Sequence, residues 1–440
     1  MIKDGNKISI YWNMVCLCMG FLFYCFMLDS TFGFKFFVGM VTSCLIFTVL
    51  YNYKQIIRPM SYFILSFVVF VWARILLNIC FGTDIISIGN GINDINIHRT
   101  TYFLGILMCG MVAIAIAVTE IMNSSSKHFL LAKERICVNS WFSVLIVVLA
   151  IVFFILFLAD SIAKINVIKT QNYLSVSESI MLEGYNYFRI GKYLLILWIL
   201  VGKNEKRVYI SSIILVIASC GYLMRGARGY AICYFFMWLL LYAREHKIRI
   251  ISLLVVGLGL IMLANWIIEY RMGLQLTNGM ADTIIKTLHS QGASIEPVFG
   301  ALNFKKEILD IFPQNELLFR DDFGSYIDVA RGVNFASGGF GTSFFAEVYV
   351  MGAPSIIFVF MMAIGVGIME YAYTLSIKMK NSYYELIIFL NCTNLIYFAR
   401  SNIKNFPLRM ITAYVMAFIL ISIARSGVGC LNKNNKEVRL

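Results

Sequence analysis

The chain has 440 residues, 60% of them apolar and only 14% charged, with a mean hydropathy of +0.78. Ordinary soluble globular proteins carry about 25% charged residues, so that class is excluded. The net charge of +13 would suggest nucleic acid in a soluble chain; here Lys and Arg mostly flank apolar runs, so the charge reports membrane topology and no nucleic-acid partner is expected.

The apolar runs are long and continuous, unlike the short alternating segments of a membrane barrel, and an all-α polytopic membrane protein is expected. Requiring about 17 to 25 mostly apolar residues per crossing places spans at 8–28, 33–51, 60–81, 101–121, 140–159, 187–202, 208–224, 229–243, 248–268, 353–376, 384–399 and 408–424. That is about twelve crossings, which puts both termini on one side of the membrane. The inside loops, carrying Lys54 and Arg58, Lys127, Lys133 and Arg135, Lys203, Lys206 and Arg207, Arg244, Lys247 and Arg249, and Lys378 and Lys380, make that side the cytoplasm. Lys3 and Lys7 precede an apolar run with no small-residue cleavage site, so residues 8–28 read as a first span. The 11 cysteines, among them Cys16, Cys18, Cys109, Cys220, Cys233 and Cys392, lie in or beside spans and show neither a disulfide framework nor zinc spacing. They read as apolar fillers, and no metal or cofactor is expected.

The expected organisation is spans one to nine over residues 1–268, a large external loop with a juxtamembrane helix over 269–352, spans ten to twelve over 353–425, and a cytoplasmic tail over 426–440. External segments fall at 82–99, 160–186 and 269–342. The last is too long for a plain connection and contains helix-like pieces at Met280–Leu288 and Phe304–Phe312, so a small folded lid is expected there. Its acidic residues outnumber its basic ones. No internal repeat of the kind that builds secondary transporters is visible.

Several cations break the positive-inside bias. Arg225 and Arg228, in Met224-Arg225-Gly226-Ala227-Arg228-Gly229, fall at an external turn. From Arg228 to Arg244 a helix rises roughly 24 Å, short of a hydrocarbon core of about 30 Å, so one of the two is recessed; Arg228 is expected to be that one. Two guanidiniums separated by small residues can present paired forks to a pyrophosphate. Arg271 and Arg331 bracket the lid, and Arg400 and Arg409 frame the hairpin Ser401 to Leu408. Arg74 falls inside span three and needs a partner or water. Each of these arginines could equally be a snorkelling anchor. His289 is a reserve candidate for a general base, and Asp321-Asp322 a weak cation signal more in keeping with a solvated lid.

Just before span ten, Gly338-Gly339-Phe340-Gly341-Thr342-Ser343-Phe344-Phe345-Ala346-Glu347-Val348-Tyr349-Val350-Met351-Gly352 combines close-approach glycines with a carboxylate at the membrane boundary. This stretch, the Arg-Gly-Ala-Arg-Gly turn and the large late loop together resemble the bacterial O-antigen polymerases, the Wzy-type oligosaccharide repeat-unit polymerases. Val350-Met351 stands where such segments often carry Asn-Phe.

The resemblance implies a GT-C-like glycosyltransferase of the bacterial inner membrane, with its active site on the periplasmic face. It would use undecaprenyl-pyrophosphate-linked oligosaccharide, with membrane lipid around it and a chain-length regulator as partner. Arg225 and Arg228 would hold the donor pyrophosphate and stabilise the leaving charge. Arg331 and Arg400 would clamp the acceptor pyrophosphate or an acidic sugar, with Arg409 and His289 as further contacts. Glu347 would orient or deprotonate the attacking hydroxyl, with Tyr349 lining the site. An O-antigen ligase and a lipid-linked oligosaccharide flippase stay open as alternatives, and a membrane scaffold is the plainest one. The flippase is less favoured, because the suspect charges gather on one side.

Overall fold

The computed structural model describes residues 2–25, 31–50, 57–85, 94–125, 140–170, 185–200, 206–224, 228–245, 280–311, 343–379, 382–403 and 408–416, with a few single positions besides. All regular structure among them is helical. The helices are α1 (Ile2–Cys25), α2 (Thr31–Leu50), α3 (Pro59–Phe67), α4 (Ala73–Phe81), α5 (Asp94–Ser125), α6 (Ser140–Thr170), α7 (Tyr185–Leu200), α8 (Arg207–Met224), α9 (Arg228–Glu245), α10 (Met280–Gln291), α11 (Glu296–Asn303), α12 (Lys305–Ile311), α13 (Phe344–Met351), α14 (Ile356–Met379) and α15 (Ser382–Tyr397). Six spans among the described residues are long and apolar enough to cross a membrane: Thr31–Leu50, Pro59–Phe81, Ile97–Ser124, Trp141–Lys164, Arg207–Met224 and Ala353–Ile377. Shorter apolar stretches lie in α1, α9 and α15, and most of the span expected at 248–268 and part of that expected at 408–424 fall outside the described residues.

Two expected external segments are partly helical. α6 runs on to Thr170 and α5 begins at Asp94. A hydropathy window ends where side chains turn polar, whereas a helix continues as long as its backbone bonds and local pairs support it. In α6 the pair Asp160–Lys164, 3.3 Å apart, carries it past the apolar stretch.

The chain divides into two compact units. The first comprises Met1–His128, Gly279–Tyr371 and Asn394–Met410; the second comprises Phe129–Asn278, Ala372–Thr393 and Ile411–Leu440. Within a bilayer, lipid tails are as apolar as Leu, so helix association rests on close packing rather than on the hydrophobic effect. The first unit achieves this at Gly20 of α1 and Gly105 of α5. A Cβ at Gly20 would stand 2.6 Å from Ile106, and one at Gly105 would stand 2.7 Å from the Phe37 ring. Phe37 fills the gap and meets Tyr102 edge-on at 5.0 Å, while Phe23 packs against Tyr102 at 5.7 Å. This cluster fixes the end of α1 against the first turns of α5.

α3 and α4 form one membrane span interrupted by a π-helical turn, Val68–Trp72. At the start of α3, Glu370 accepts hydrogen bonds from the Arg58 Nε (2.6 Å) and from the Met60 amide (2.9 Å), capping a helix whose own N-cap side chain makes no such bond. Around α13, Phe344 and Phe345 pack with Phe63, Phe67 and Phe398 in a buried aromatic core. Three cysteines also meet in this unit. The sulfurs of Cys16, Cys44 and Cys109 lie within 4.8 Å of one another, and all three residues are buried.

In the second unit, α6 to α9 pack by the same device. Gly191 and Gly221 admit the rings of Phe154 and Phe157, which a Cβ would approach to 2.7 and 2.5 Å. Phe188 joins Phe157, Tyr222 and Tyr234 at 5.2, 4.9 and 5.1 Å.

Candidate functional site

In the described part of the late loop, α10 and α12 cover the two pieces read as helices, with a 3-10 turn, Gly292–Ile295, and α11 between them. What anchors it is Arg74, just past the π turn. Arg74 is ion-paired with Glu296, donates from Nε to the His289 carbonyl at 2.7 Å, and donates from Nη1 to the Ile85 carbonyl at 3.2 Å. Gly292 lies directly on it; a Cβ there would be 2.7 Å from the Arg74 Cγ. The need for a partner at Arg74 is thus met from 222 positions further along the chain.

His289 belongs to the same junction. Its Nε2 lies 2.7 Å from the Asp84 carbonyl oxygen. A carbonyl can only accept, so Nε2 is the donor in this contact. Arg400 sits 5.2 Å from the centroid of the Phe70 ring, on the π turn, with Nη1 3.5 Å from Gln291 Oε1. Arg409 is exposed near the start of the helical stretch 408–416. Arg225 and Arg331 lie outside the described residues, as do Asp321, Asp322 and the glycines at 338, 339 and 341; Arg228 opens α9.

Glu347 is buried, and its Oε2 accepts a hydrogen bond of 2.8 Å from the Ile403 amide. It ties α13 to the turn that follows Arg400. Tyr349 is two residues on and so about 200° around the helix axis, facing elsewhere. Its side chain lines a cavity of about 330 Å³ with Tyr24, Arg99, Leu302 and Asn303. Phe103 meets the Tyr349 ring edge-on at 5.5 Å, and the Lys305 ammonium stands 5.1 Å from the ring centroid while donating to the Tyr349 carbonyl at 3.2 Å. Burial pushes the Tyr349 hydroxyl above the usual tyrosine range, the neighbouring Tyr24 adds to this, and Arg99 opposes it. The hydroxyl is therefore a neutral donor and acceptor at physiological pH.

Sequence reasoning found Tyr349 and missed Arg99, Tyr24, Asn303 and Lys305. Arg99 reads as an ordinary charge at the edge of a span, and nothing local ties it to residues two hundred positions away. Arg99 borders this cavity and Lys305 stands beside it, and among the described residues that line it none carries a carboxylate.

Comparison with protein families matches residues 8–314 to the family described as O-antigen polysaccharide polymerase Wzy. An O-antigen polymerase of Escherichia coli is 29% identical over 398 residues, covering 87% of each chain. The chain belongs to the O-antigen polysaccharide polymerase Wzy family. No solved structure matches it. The family agrees with the resemblance carried by the Arg225–Arg228 turn and the Glu347 stretch. In this Wzy-family chain, the matched region holds Arg74, Arg99, Glu296 and Asn303, while Glu347, Tyr349 and Arg400 lie beyond it.

Proposed function

We propose that this protein polymerises undecaprenyl-pyrophosphate-linked oligosaccharide repeat units on the periplasmic face of the bacterial inner membrane. The growing chain moves from its lipid pyrophosphate to a hydroxyl at the non-reducing end of a new lipid-linked unit. The bond from the anomeric carbon to the pyrophosphate oxygen breaks, a new glycosidic bond forms to the acceptor oxygen, and the acceptor hydroxyl's proton passes to the departing undecaprenyl pyrophosphate. Membership of the polymerase family carries this reading, and a cavity bordered by Arg99 with Lys305 beside it supports it by offering the acceptor a polar seat.

In this proposal Arg225 and Arg228 hold the donor pyrophosphate and stabilise the charge that develops on it, the interaction that most lowers a barrier of this kind. Arg331 and Arg400 attend the acceptor, with Arg409 and His289 as outer contacts. A pyrophosphate leaving group relieves the demand for a strong base, so Glu347 acts as a positioning residue: through Ile403 it holds the turn that presents Arg400. Glu347→Gln, which keeps an acceptor oxygen, is expected to retain chain extension. Glu347→Ala orphans a buried amide at a cost of about 1–3 kcal/mol and is expected to shorten or abolish the polymer. Polysaccharide gels at matched membrane levels check this, and equal loss in both variants would instead make the charge itself essential.

The proposed reaction is tested with purified protein in nanodiscs and lipid-linked repeat units extracted from a strain lacking the gene. Polymer is expected without added nucleotide sugar. No polymer under those conditions, with the protein shown to be folded, overturns the proposal.

A further inference from the structure

We infer that Cys16, Cys44 and Cys109 form a three-sulfur site for a soft cation, copper(I), which ties α1, α2 and α5 together inside the first unit. The inference stands apart from the polymerase reading and uses residues that the proposed reaction does not.

Helix packing brings the sulfurs to one point. α1 and α2 run antiparallel, and near one end of the pair Ser9 and Asn13 meet Thr48. The Ser9 and Thr48 hydroxyls are 2.9 Å apart, and the Asn13 amide donates to the Thr48 hydroxyl at 3.2 Å. One turn further along each helix, on the same faces, stand Cys16 and Cys44. The Cys16 thiol also reaches the Met40 carbonyl, at 3.8 Å. Cys109 comes from α5, which lies close on α1 through the glycines of that interface. Gly110 follows Cys109 and Leu17 follows Cys16, and a Cβ on Gly110 would stand 3.3 Å from the Leu17 side chain. The three cysteines are therefore placed by close packing before any ion arrives.

Three donors of one kind then select the ion. The residues are 1%, 4% and 0% exposed, and their sulfurs lie within 4.8 Å of one another. Metal–thiolate bonds are about 2.3 Å long, so an ion at the centre of three sulfurs holds them about 4 Å apart. Closing the cluster onto it takes shifts of less than about 1 Å. Hard cations require oxygen ligands. Zinc takes four donors, and among the described residues no His, Asp or Glu joins the three sulfurs. Copper(I) is soft, favours thiolate and is satisfied by three donors in a plane. Each sulfur that binds as thiolate releases its proton, that of Cys16 leaving its contact with the Met40 carbonyl. The negative charge left on the sulfurs is costly in an apolar interior without polar neighbours, and Ser9, Asn13 and Thr48 supply these one turn away. Apolar filling alone needs no sulfur at this point, where Ala or Val packs as well.

The test is a competition with the coloured bis(bicinchoninate) complex of copper(I), without oxygen, on the full-length protein in nanodiscs. One copper(I) per chain is expected to pass from chelator to protein, and X-ray absorption is expected to show three sulfurs at about 2.3 Å. A variant that keeps these three of the 11 cysteines and carries Ala or Ser at the others is expected to bind as the wild type does. Cys44→Ala and Cys109→Ala, which keep the packing apolar, are each expected to weaken binding by at least about a hundredfold. Cys18→Ser, at an exposed position of α1, is expected to leave it unchanged. Copper is expected to raise the unfolding temperature of the wild type and not of Cys109→Ala, as a ligand held only by the native state does. Zinc in equal amount is expected not to displace it. Failure to withdraw copper from the chelator, fewer than three sulfurs around it, displacement by zinc, or unchanged affinity in both alanine variants would each overturn the site. These readouts involve no polymer, so the polymerase reading stands or falls separately.

Discussion

Arg74→Met is expected to lower the amount of folded, detergent-extractable protein by at least about tenfold, because breaking a buried ion pair from one side costs about 3–5 kcal/mol. The side chains of Arg74 and Glu296 are 4% and 11% exposed, so neither water nor lipid headgroups can take over the role of the lost partner. Total domain stabilities are only about 5–15 kcal/mol, and a loss of this size removes a large part of that. The guanidinium also serves the carbonyls of His289 and Ile85, so its removal frees α10 and the 3-10 turn together with Glu296. Replacing both partners, as Arg74→Met with Glu296→Met, removes the orphaned carboxylate and is expected to restore a substantial part of the folded protein. Size-exclusion profiles of fluorescently tagged variants check this. A normal profile for Arg74→Met, with the loop as resistant to protease as in wild type, would show that Arg74 does not anchor it.

Arg228→Ala is expected to abolish polymer while the protein stays in the membrane at normal levels. Arg228 is the first residue of α9, where free backbone amides and the helix dipole favour an anion, and Arg225 is three positions before it in the sequence. In the donor site proposed above, losing one side of the guanidinium–pyrophosphate pair would cost about 2–5 kcal/mol, and about 3 kcal/mol corresponds to roughly a hundredfold in rate. Arg228→Lys keeps the charge without the planar fork and is expected to fall between the two. The measurement is the rate of polymer formation in membranes at matched protein levels. A rate within about twofold of wild type for Arg228→Ala would return the residue to the role of an interfacial anchor.

How much of this was legible in the sequence follows from the range of each signal. The helices of the late loop, α10 and α12, were readable because amphipathic spacing is local. Arg74 announced that it needed a partner, since a charge inside an apolar span always does, but Glu296 could not be singled out among the acids of the loop. The π turn beside Arg74 left no mark in composition. Cys16, Cys44 and Cys109 were readable as apolar fillers by position, and their convergence depends on how α1, α2 and α5 pack. Glu347 stood out because a carboxylate beside glycines at a membrane boundary is unusual. Its bond to the Ile403 amide, and its separation around the helix from Tyr349, are facts of tertiary structure. The cavity at Tyr349 is the plainest case. Its residues come from the end of α1, the start of α5, the end of α11 and α13, and no window of sequence contains two of those elements.

The central claim, that the chain extends lipid-linked repeat units, is tested most directly by the polysaccharide banding of a strain lacking this gene, complemented with the wild-type protein. The account predicts lipid A core capped by a single repeat unit in the deletion and a full ladder on complementation. Polymer of normal length, built on its lipid carrier but not joined to core, would contradict it and make the protein a ligase.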